Sequence, residues 1–437
     1  MLTVNYKSEK GQSVVLLALV FVALLGFAAL ALDSAEMYVA RRNAQAASDA
    51  AALAGALAKS QNQNWKSIAL ERAASNGYDN DGVTNWVTVA SPPTSGQYQG
   101  NDQYLQVTIS QIVDTSFLHF VFPTPVQITV STVVRVVPPQ PLTDHAIFAA
   151  SESECDAMVF SGNVDVNVLG GDVFSNSNAN SKNCPSLIGN GNVDVRVHAE
   201  NGGVFAVGHI KINGNVDFEP TYRGGMPQEA VLSLPVPDCN LRSNYSNNTS
   251  YIYNKGSVNI DTDTTLEPGL YNHISIGSNA NVRLEPGLYC IRGDFTKKGN
   301  GWVIGDDVLL VLLGGSFDLQ GNSEIRLKAP AQSGVGVFTT VNGSTHDYRG
   351  LLIFADPSRY SPSSGGEVRI KGNSDVYYQG TLYAPQTQCR ITGNNDSQVI
   401  RSQIICRKIG FHGNTNLTID FRTSDNYTGI STLEIAE

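Results

Sequence analysis

The sequence predicts a mainly β protein with an N-terminal helix: a single transmembrane helix, a small α/β domain and then a parallel β-helix solenoid. Three observations predict this class. A long apolar run lies near the N-terminus, alternating segments typical of strands follow it, and a short Gly-Asn tag recurs through the rest of the chain. The 437 residues include 41 glycines and only 16% charged residues, which favours short strands and tight turns over helical bundles.

The apolar run covers residues 14–32, nineteen residues without a charge. As a helix it would extend about 28 Å, close to the roughly 30 Å core of a bilayer. A cleaved signal has a shorter apolar region and a small-residue cleavage site, so we interpret the run as an uncleaved anchor, with a signal peptide as the alternative. Two lysines before the run and two arginines after it balance the positive-inside count. Six cysteines and glycine-rich β sequence instead place the later part outside, with residues 1–10 as a cytoplasmic head.

An alanine-rich helical pattern continues beyond Asp33, so residues 11–60 are predicted to form the transmembrane and extended helix. Alanines recur there at alternating spacings of four and three, which would let another backbone approach closely. Packing within the chain is the favoured interpretation, and packing in a filament is the alternative. The stripe consists of Ala40, Ala44, Ala47, Ala51, Ala54 and Ala58.

The N-terminal segment resembles that of the Tad/Flp pilus-assembly TadE/TadG-like family. The resemblance rests on Gly11-Gln12, the apolar run, Asp33, Tyr38, Arg41-Arg42 and the run QAASDAAALA at residues 45–54. It implies a bacterial envelope protein of a tight-adherence pilus system. The apolar run itself predicts the lipid bilayer as a partner, through Val14 to Leu32. Pilus-assembly proteins or pilin are the further candidate partners, through the stripe from Ala40 to Ala58.

Prepilin-type processing is not expected. Pilin-like precursors cleaved after a glycine usually carry glutamate at the fifth mature position, and that position, counted from Gln12, is Leu16. We therefore expect Met1 to Gly11 to stay attached.

Residues 61–138 are predicted to form a small α/β domain, similar to the pilin-like architecture that the family implies. Trp65 to Ser75 has a helical pattern that Asn76-Gly77 ends. Extended segments follow, and a sheet of about four strands leaning on the long helix is the economical arrangement. His119 is interpreted as an ordinary strand position rather than a metal ligand. The extended segments are Asn85–Ala90, Gln103–Val113, Ser116–Phe122 and Pro125–Val137.

A Pro-rich linker, residues 139–146, separates this domain from a predicted parallel β-helix ectodomain, residues 147–437. Repetition at roughly 20 to 30 residues, with turn residues before short β-branched runs, is typical of a solenoid. Stacked asparagines could form an amide ladder from coil to coil. A β-sandwich is the alternative, and it explains the strands but not the tag. Copies of the tag begin at Gly162, Gly191, Gly214, Gly256, Gly321, Gly372, Gly393 and Gly413, and a second tag, Glu-Pro-Gly-Leu-Tyr, begins at Glu267 and Glu285.

No catalytic, cofactor-binding or metal site is predicted. The net charge of −10 argues against nucleic acid as a partner. Asp165, Asp194 and Asp217 could stack as a carboxylate cluster, but outward, solvated repeat positions are the favoured interpretation. We therefore expect a non-enzymatic, membrane-anchored cell-surface protein that presents a rigid β-helix for pilus assembly, adhesion or envelope interaction, with surface carbohydrate or protein as further candidate partners. The alternative is an anchored carbohydrate-active enzyme, a lyase or hydrolase.

The six cysteines lie in the proposed exported part, which suggests disulfides. Cys389 and Cys406 are 17 residues apart, close to the local repeat, so a β-helix would place them on successive coils within disulfide range. Cys155 and Cys184 follow by the same reasoning. Cys239 and Cys290 are left by elimination. Buried free thiols in a reducing compartment are the alternative.

Overall fold

The computed structural model describes residues 12–60, 63–120, 124–137, 141–239, 253–321, 323–331, 336–361, 366–372, 376–394, 398–429 and 432–436. These residues divide into two compact units. The first unit comprises residues 1–139 and 430–437, and the second comprises residues 140–429. The expected cytoplasmic head, residues 1–10, lies outside the described residues, and so does the junction at which processing would occur.

The first unit combines two helices with a four-stranded antiparallel sheet. The predicted second helix and the strand at residues 85–90 have the expected bounds. The elements are α1 (Gln12–Ser60), α2 (Trp65–Ser75), β1 (Asn85–Ala90), β2 (Tyr104–Val113), a short 3₁₀ helix (Leu118–Phe120), β3 (Val126–Val137) and, at the C-terminus, β31 (Thr432–Ile435).

The prediction of four strands is confirmed, but the fourth strand was misidentified. Residues 116–122 were expected to extend, and His119 was expected on a strand; instead Leu118–Phe120 form the 3₁₀ helix, and residues 121–123 lie outside the described residues. The fourth strand is β31, which pairs with the edge of β3 from Val134 to Val137. The predicted ectodomain, residues 147–437, is therefore too long at its C-terminal end, because residues 432–435 belong to the sheet of the first unit. Pairing with β31 satisfies backbone groups that an edge strand would leave open.

The core of the first unit forms where α1 lies against the sheet. Val107, Ile109 and Leu105 on β2 are fully buried together with alanines of α1. At the crossing of the two helices, a Cβ on Gly55 would lie 2.9 Å from the Cβ of Ala69, so only glycine allows this approach. Ser48 adds a polar contact, because its hydroxyl donates to the carbonyl of Val107 at 3.0 Å.

The second unit is built mainly from strands, which are 2 to 17 residues long. They are β4 (His145–Ala149), β5 (Met158–Leu169), β6 (Asp172–Ser175), β7 (Asn180–Ser181), β8 (Cys184–Pro185), β9 (Leu187–Val197), β10 (Val204–Ala206), β11 (Ile210–Glu219), β12 (Tyr222–Arg223), β13 (Asn254–Ile260), β14 (Thr264–Leu266), β15 (Gly269–Ile276), β16 (Val282–Leu284), β17 (Gly287–Ile291), β18 (Phe295–Lys297), β19 (Trp302–Gly305), β20 (Val308–Leu312), β21 (Phe317–Leu319), β22 (Glu324–Lys328), β23 (Val337–Thr339), β24 (Thr345–Asp347), β25 (Leu351–Ala355), β26 (Glu367–Gly372), β27 (Val376–Gln379), β28 (Thr381–Asn394), β29 (Gln398–Ile400) and β30 (Ile404–Asp420).

Most of these strands belong to an 18-stranded sheet, and five others form a second sheet of order β14-β16-β19-β22-β27. Strand pairs within both sheets are parallel wherever the structure describes them. Apolar side chains from both sheets, such as Val166, Leu310 and Leu327, meet in one buried core. The two sheets therefore close into a barrel-like ring around that core.

The strands of the large sheet lie in a stack whose order differs from the chain order. We use "stack" below for this series of in-register parallel strands. Strands β4 and β5 lie inside the series: β6 and β9 pair with them on one side, and β30 pairs with them on the other. From β6 and β9 the stack continues to β10 and β11. From β30 it continues through β28, β25 and β20 to β17, β15 and β13.

An extended segment, residues 224–239, runs across the outside of the stack, and we call it the strap. Its backbone accepts hydrogen bonds from the hydroxyls of Tyr383 (to Leu232, 2.8 Å) and Tyr348 (to Pro235, 3.0 Å). Leu234 is buried in a second apolar cluster under the strap. The strap leads from the β10–β12 side of the stack towards the opposite side, where β13 lies.

The second unit also begins and ends at neighbouring positions. Pro141 forms an isolated antiparallel bridge with Thr428. Because β30 stacks directly on β4 and β5, the last long strand completes the layer beside the first. The chain therefore enters and leaves this unit at one place.

Candidate functional site

The first candidate site is the apolar half of α1. Among the described residues, this is the one helix long and apolar enough to cross a membrane. Its large side chains from Val14 to Leu32 are 50% to 72% exposed, so nothing in the described fold covers them. An uncovered apolar surface of this length suits the hydrocarbon core of a lipid bilayer.

The second half of α1 is used within the chain. Ala44, Ala47, Ala51 and Ala58 of the predicted stripe are at most 3% exposed, and the first three belong to the apolar core of the first unit. The favoured interpretation of intramolecular packing is therefore confirmed. The protein's own fold covers these four alanines, whereas Ala40 and Ala54 of the stripe are half-buried. Contact with pilin or pilus-assembly proteins through the stripe stays a prediction.

Asp33 lies between the two halves of α1 and is fully buried. Its carboxylate accepts hydrogen bonds from the backbone N–H groups of Ser116, at 2.9 Å, Phe117, at 3.1 and 3.2 Å, and Leu118. Three consecutive donors converge on one carboxylate, which offsets the cost of burying its charge. The carboxylate fixes the loop after β2 at the point where the apolar run ends.

A row of carboxylates crosses the stack on the second unit. Asp165 is paired with Asp194, and Asp194 with Asp217, so the three predicted aspartates lie on successive strands. Arg196 lies among them: its guanidinium is 3.3 Å from the Asp165 carboxylate and donates a hydrogen bond to Asp194. We call these four residues the carboxylate row.

The environment of the carboxylate row is open to solvent. The side chains of Asp165 and Asp194 are 42% and 39% exposed, and Asp217 is also exposed. The hydrogen bond with Asp194, followed by the nearby negative charges, raises the pKa of Arg196. The described residues contain no group of three or more His, Cys, Asp or Glu side chains arranged to hold a metal ion.

The Gly-Asn tags lie beside this row and form a ladder. Gly214, Gly191, Gly162 and Gly413 are register partners in succession, and each has a positive φ. The asparagines that follow are aligned too. The amide of Asn215 donates to Asn192 at 2.7 Å, and further along the stack a second amide pair repeats the contact.

The Glu-Pro-Gly-Leu-Tyr tags have a different role. The hydroxyl of Tyr271 donates to the carbonyl of Glu267 at 2.6 Å, and the hydroxyl of Tyr289 donates to that of Glu285 at 2.8 Å. The two rings stack with centroids 6.2 Å apart. Each tag therefore forms a corner in which its own tyrosine satisfies the carbonyl of its own glutamate.

All six cysteines are in disulfides, and the pairs are those expected from the sequence. The Cα–Cα distances are 4.6 Å for Cys155–Cys184, 5.8 Å for Cys239–Cys290 and 6.0 Å for Cys389–Cys406. The third pair joins β28 to β30, as the coil spacing predicted. The second pair attaches the end of the strap to β17.

Sequence reasoning missed one buried polar cluster, which lies where the strap crosses β4 and β6. His145 is 7% exposed; one ring nitrogen contacts the Asp172 carboxylate, and the other is 3.0 Å from that of Glu229 on the strap. Burial lowers the pKa of His145, but the hydrogen bond and charge of Asp172, with those of Glu229, outweigh burial and raise it above 6.5. The stacked rings of Phe148 and Phe174 cover the imidazole.

Comparison with known proteins identifies the N-terminal segment. Residues 11–58 match the family model described as putative Flp pilus-assembly TadE/G-like, which confirms the resemblance stated for this segment. No curated protein and no solved structure matches the chain. The matched residues coincide with α1, which contains both the exposed apolar run and the buried alanines.

Proposed function

We propose that this protein is a membrane-anchored, non-enzymatic cell-surface component of a Tad/Flp-type pilus system. It holds its second unit on the outer side of the membrane and presents a rigid parallel β-helix for pilus assembly, adhesion or envelope interaction. The observation that carries the proposal is the coincidence of the family match at residues 11–58 with a helix whose first half is apolar and uncovered.

The β-helix assignment is supported by the pairing in the second unit. A β-sandwich is built from antiparallel sheets, whereas the strands of the two larger sheets are parallel wherever they are described. Aligned glycines and asparagines on successive strands are the features that a coil-to-coil repeat requires. Coils that each pack on their neighbours make a stiff module, which suits presentation at a cell surface.

The outward orientation is supported by the disulfides. Three of them join all six cysteines, and such bonds persist in oxidising compartments such as the periplasm or the cell surface. The α/β unit, which adjoins the predicted span, contains no cysteine.

A carbohydrate-active enzyme is the second candidate, and the carboxylate row is the observation that favours it. Three aligned aspartates beside a guanidinium resemble a constellation that could neutralise and deprotonate a uronic acid sugar. Against this, Arg196 already pairs with two of the carboxylates, and the row is open to solvent. A structural role for the row, in which one cation offsets stacked like charges, therefore fits better.

Two measurements test the proposal. In the native host, membrane fractionation and immunogold labelling should place the protein in the membrane fraction and at the cell surface. Cells lacking the protein should lose pili or adhesion, and the Asp165→Asn, Asp194→Asn double variant should restore them as well as the native chain does. Turnover of surface polysaccharides by the purified protein, abolished in that double variant, would instead establish the enzyme.

The anchor can be tested separately. Leu24→Arg places a charge near the middle of the apolar run, which costs about 3 kcal/mol in membrane insertion. Leu57→Arg on the other half of α1, where the leucine is 46% exposed, is the matched control. The first variant should shift out of the membrane fraction and the second should not. Equal membrane retention of both would contradict an anchor at residues 14–32.

A further inference from the structure

The loop that follows β2 reaches the level at which the apolar run of α1 ends. Two polar contacts show in which direction β2 runs along α1. Ser48 contacts Val107, and further along β2 the amide of Gln111 donates to the carbonyl of Ala40 at 2.8 Å. As β2 advances, its partners on α1 therefore move back towards the apolar run.

Asp33 lies further along α1 in the same direction, and its carboxylate accepts hydrogen bonds from the N–H groups of residues 116–118. Asp33 directly follows Leu32, the last residue of the run. The hydrogen bonds from these three consecutive N–H groups therefore place Phe117 at the boundary between the apolar and the polar half of α1. The 3₁₀ helix that follows, Leu118–Phe120, also contacts α1.

Phe117 is 45% exposed at this boundary. By contrast, the apolar side chains of β2 that face α1, Leu105, Val107 and Ile109, are fully buried. Leu118, beside Phe117, is half-buried. A polar residue would serve a soluble loop equally well. An aromatic ring and a leucine are the side chains that enter the boundary between lipid headgroups and acyl chains.

We propose that the loop at residues 116–118 is a second membrane contact. Phe117 enters the interfacial layer of the bilayer on the side where α1 emerges, and Asp33 is the positioning residue that holds it there. The inference rests on the proposed anchoring through residues 14–32. The occupant is the lipid bilayer, because Asp33 holds the exposed Phe117 next to Leu32, where the exposed apolar surface of the helix ends.

A helix alone can rotate about its axis and change its tilt in a bilayer. A side chain inserted beside the helix fixes one rotational setting, since interfacial anchors determine tilt and rotation. The two contacts would therefore set the orientation of the first unit on the membrane.

The test uses the full-length protein in nanodiscs that contain phosphatidylethanolamine and phosphatidylglycerol. Because the six native cysteines are disulfide-bonded, a single added cysteine can be labelled with the environment-sensitive fluorophore NBD. Three variants are compared: Phe117→Cys, Phe21→Cys within the span and Gln97→Cys as the matched loop control. Gln97 is exposed and lies in the loop after β1. Ser91 of the same loop contacts Lys59, which is about 39 Å from Asp33 along α1.

We expect the emission at position 117 to shift to the blue and to be quenched by lipids that carry a shallow nitroxide. The label at position 97 should emit as in water, without quenching. Adding Asp33→Ala to Phe117→Cys should reduce the quenching at position 117 and leave the label at position 21 unchanged.

Three outcomes separate the possible failures. An aqueous, unquenched label at position 117 with a deeply quenched label at position 21 overturns this inference and leaves the anchor intact. A blue-shifted label at position 117 that lipid nitroxides do not quench also overturns it, because protein rather than lipid then covers the ring. An unquenched label at position 21 overturns the proposed anchoring itself.

Discussion

The side-chain amide of Asn163 donates to the side-chain oxygen of Asn414 at 3.0 Å, although 251 residues separate them in the chain. Both asparagines follow glycines that are register partners, Gly162 and Gly413. The contact thus joins the first long strand of the second unit in chain order, β5, to the last, β30. A module that enters and leaves at one place can be inserted into another domain, here between β3 and β31 of the first unit.

The glycine ladder should not tolerate alanine where the strands approach most closely. At Gly191, φ is +107° and a Cβ would lie 2.6 Å from the carbonyl oxygen of Gly162. Gly413 has φ +82° with open space around the added atom, so it is a matched control. We expect Gly191→Ala to lower the free energy of unfolding by about 2 to 4 kcal/mol and Gly413→Ala by about 1 kcal/mol. Equal losses in denaturant titrations would contradict the close approach.

The Cys239–Cys290 disulfide should protect the strap. It closes a chain segment with a sequence separation of 51, which corresponds to about 4 kcal/mol in the chain-entropy estimate. The double variant Cys239→Ser, Cys290→Ser should therefore be cleaved faster within residues 224–239 by limited proteolysis. Cys389→Ser, Cys406→Ser is the control, because its bridge joins β28 to β30 instead. The same cleavage pattern in both variants would show that the bridge does not hold the strap.

Attachment of the strap should also depend on pH through His145. Because the pKa of His145 is raised in the folded state, its contribution to stability is complete below about 6.5 and is lost as the pH rises through the folded pKa. Asp172 and Glu229 face the imidazole. We expect faster cleavage of the strap above that pH, and a weaker pH dependence in Glu229→Gln. An unchanged pH profile in this variant would exclude Glu229 as the responsible partner.

The two sides of α1 should respond differently to the same substitution. Ala47 is 2% exposed against the sheet, whereas its neighbour Ala46 is exposed. Ala47→Leu should destabilise the first unit by about 1 to 3 kcal/mol through overpacking, and Ala46→Leu by at most about 0.5 kcal/mol. Thermal unfolding of the detergent-solubilised protein measures both. A larger effect of Ala46→Leu would place the sheet on the other side of the helix.

Local periodicity predicted much of the fold. Spacing identified the helix at residues 65–75, most of the strands of the first unit and the partner of Cys389. The order of the strands in the stack could not be predicted from the sequence, because a regular repeat predicts that successive coils pair in chain order. The strap runs across strands of the stack instead of adding a strand next to β12, and it contains no copy of the Gly-Asn tag that would have indicated this course. The partner of β3 is a four-residue strand near the C-terminus, too short to show a pattern.

The candidate sites were predictable to different extents. The apolar half of α1 could be predicted from its uninterrupted apolar sequence. The carboxylate row could be predicted from the repeated aspartate, because strands that stack in register align equivalent residues. The role of Asp33 was missed because its partners are backbone N–H groups 83 to 85 residues away, and backbone donors leave no signal in side-chain identity. The cluster around His145 was missed for a related reason: Glu229 belongs to the strap, whose course the sequence did not reveal.

Protease treatment of cells whose outer membrane has been removed tests most directly whether α1 anchors the protein with the second unit outside. The chain would carry one epitope before residue 12 and another at the C-terminus, with an intact cytoplasmic protein as the internal control. We predict loss of the C-terminal epitope and survival of a short membrane-bound fragment with the N-terminal epitope. Survival of the C-terminal epitope until the membrane is permeabilised would contradict this orientation.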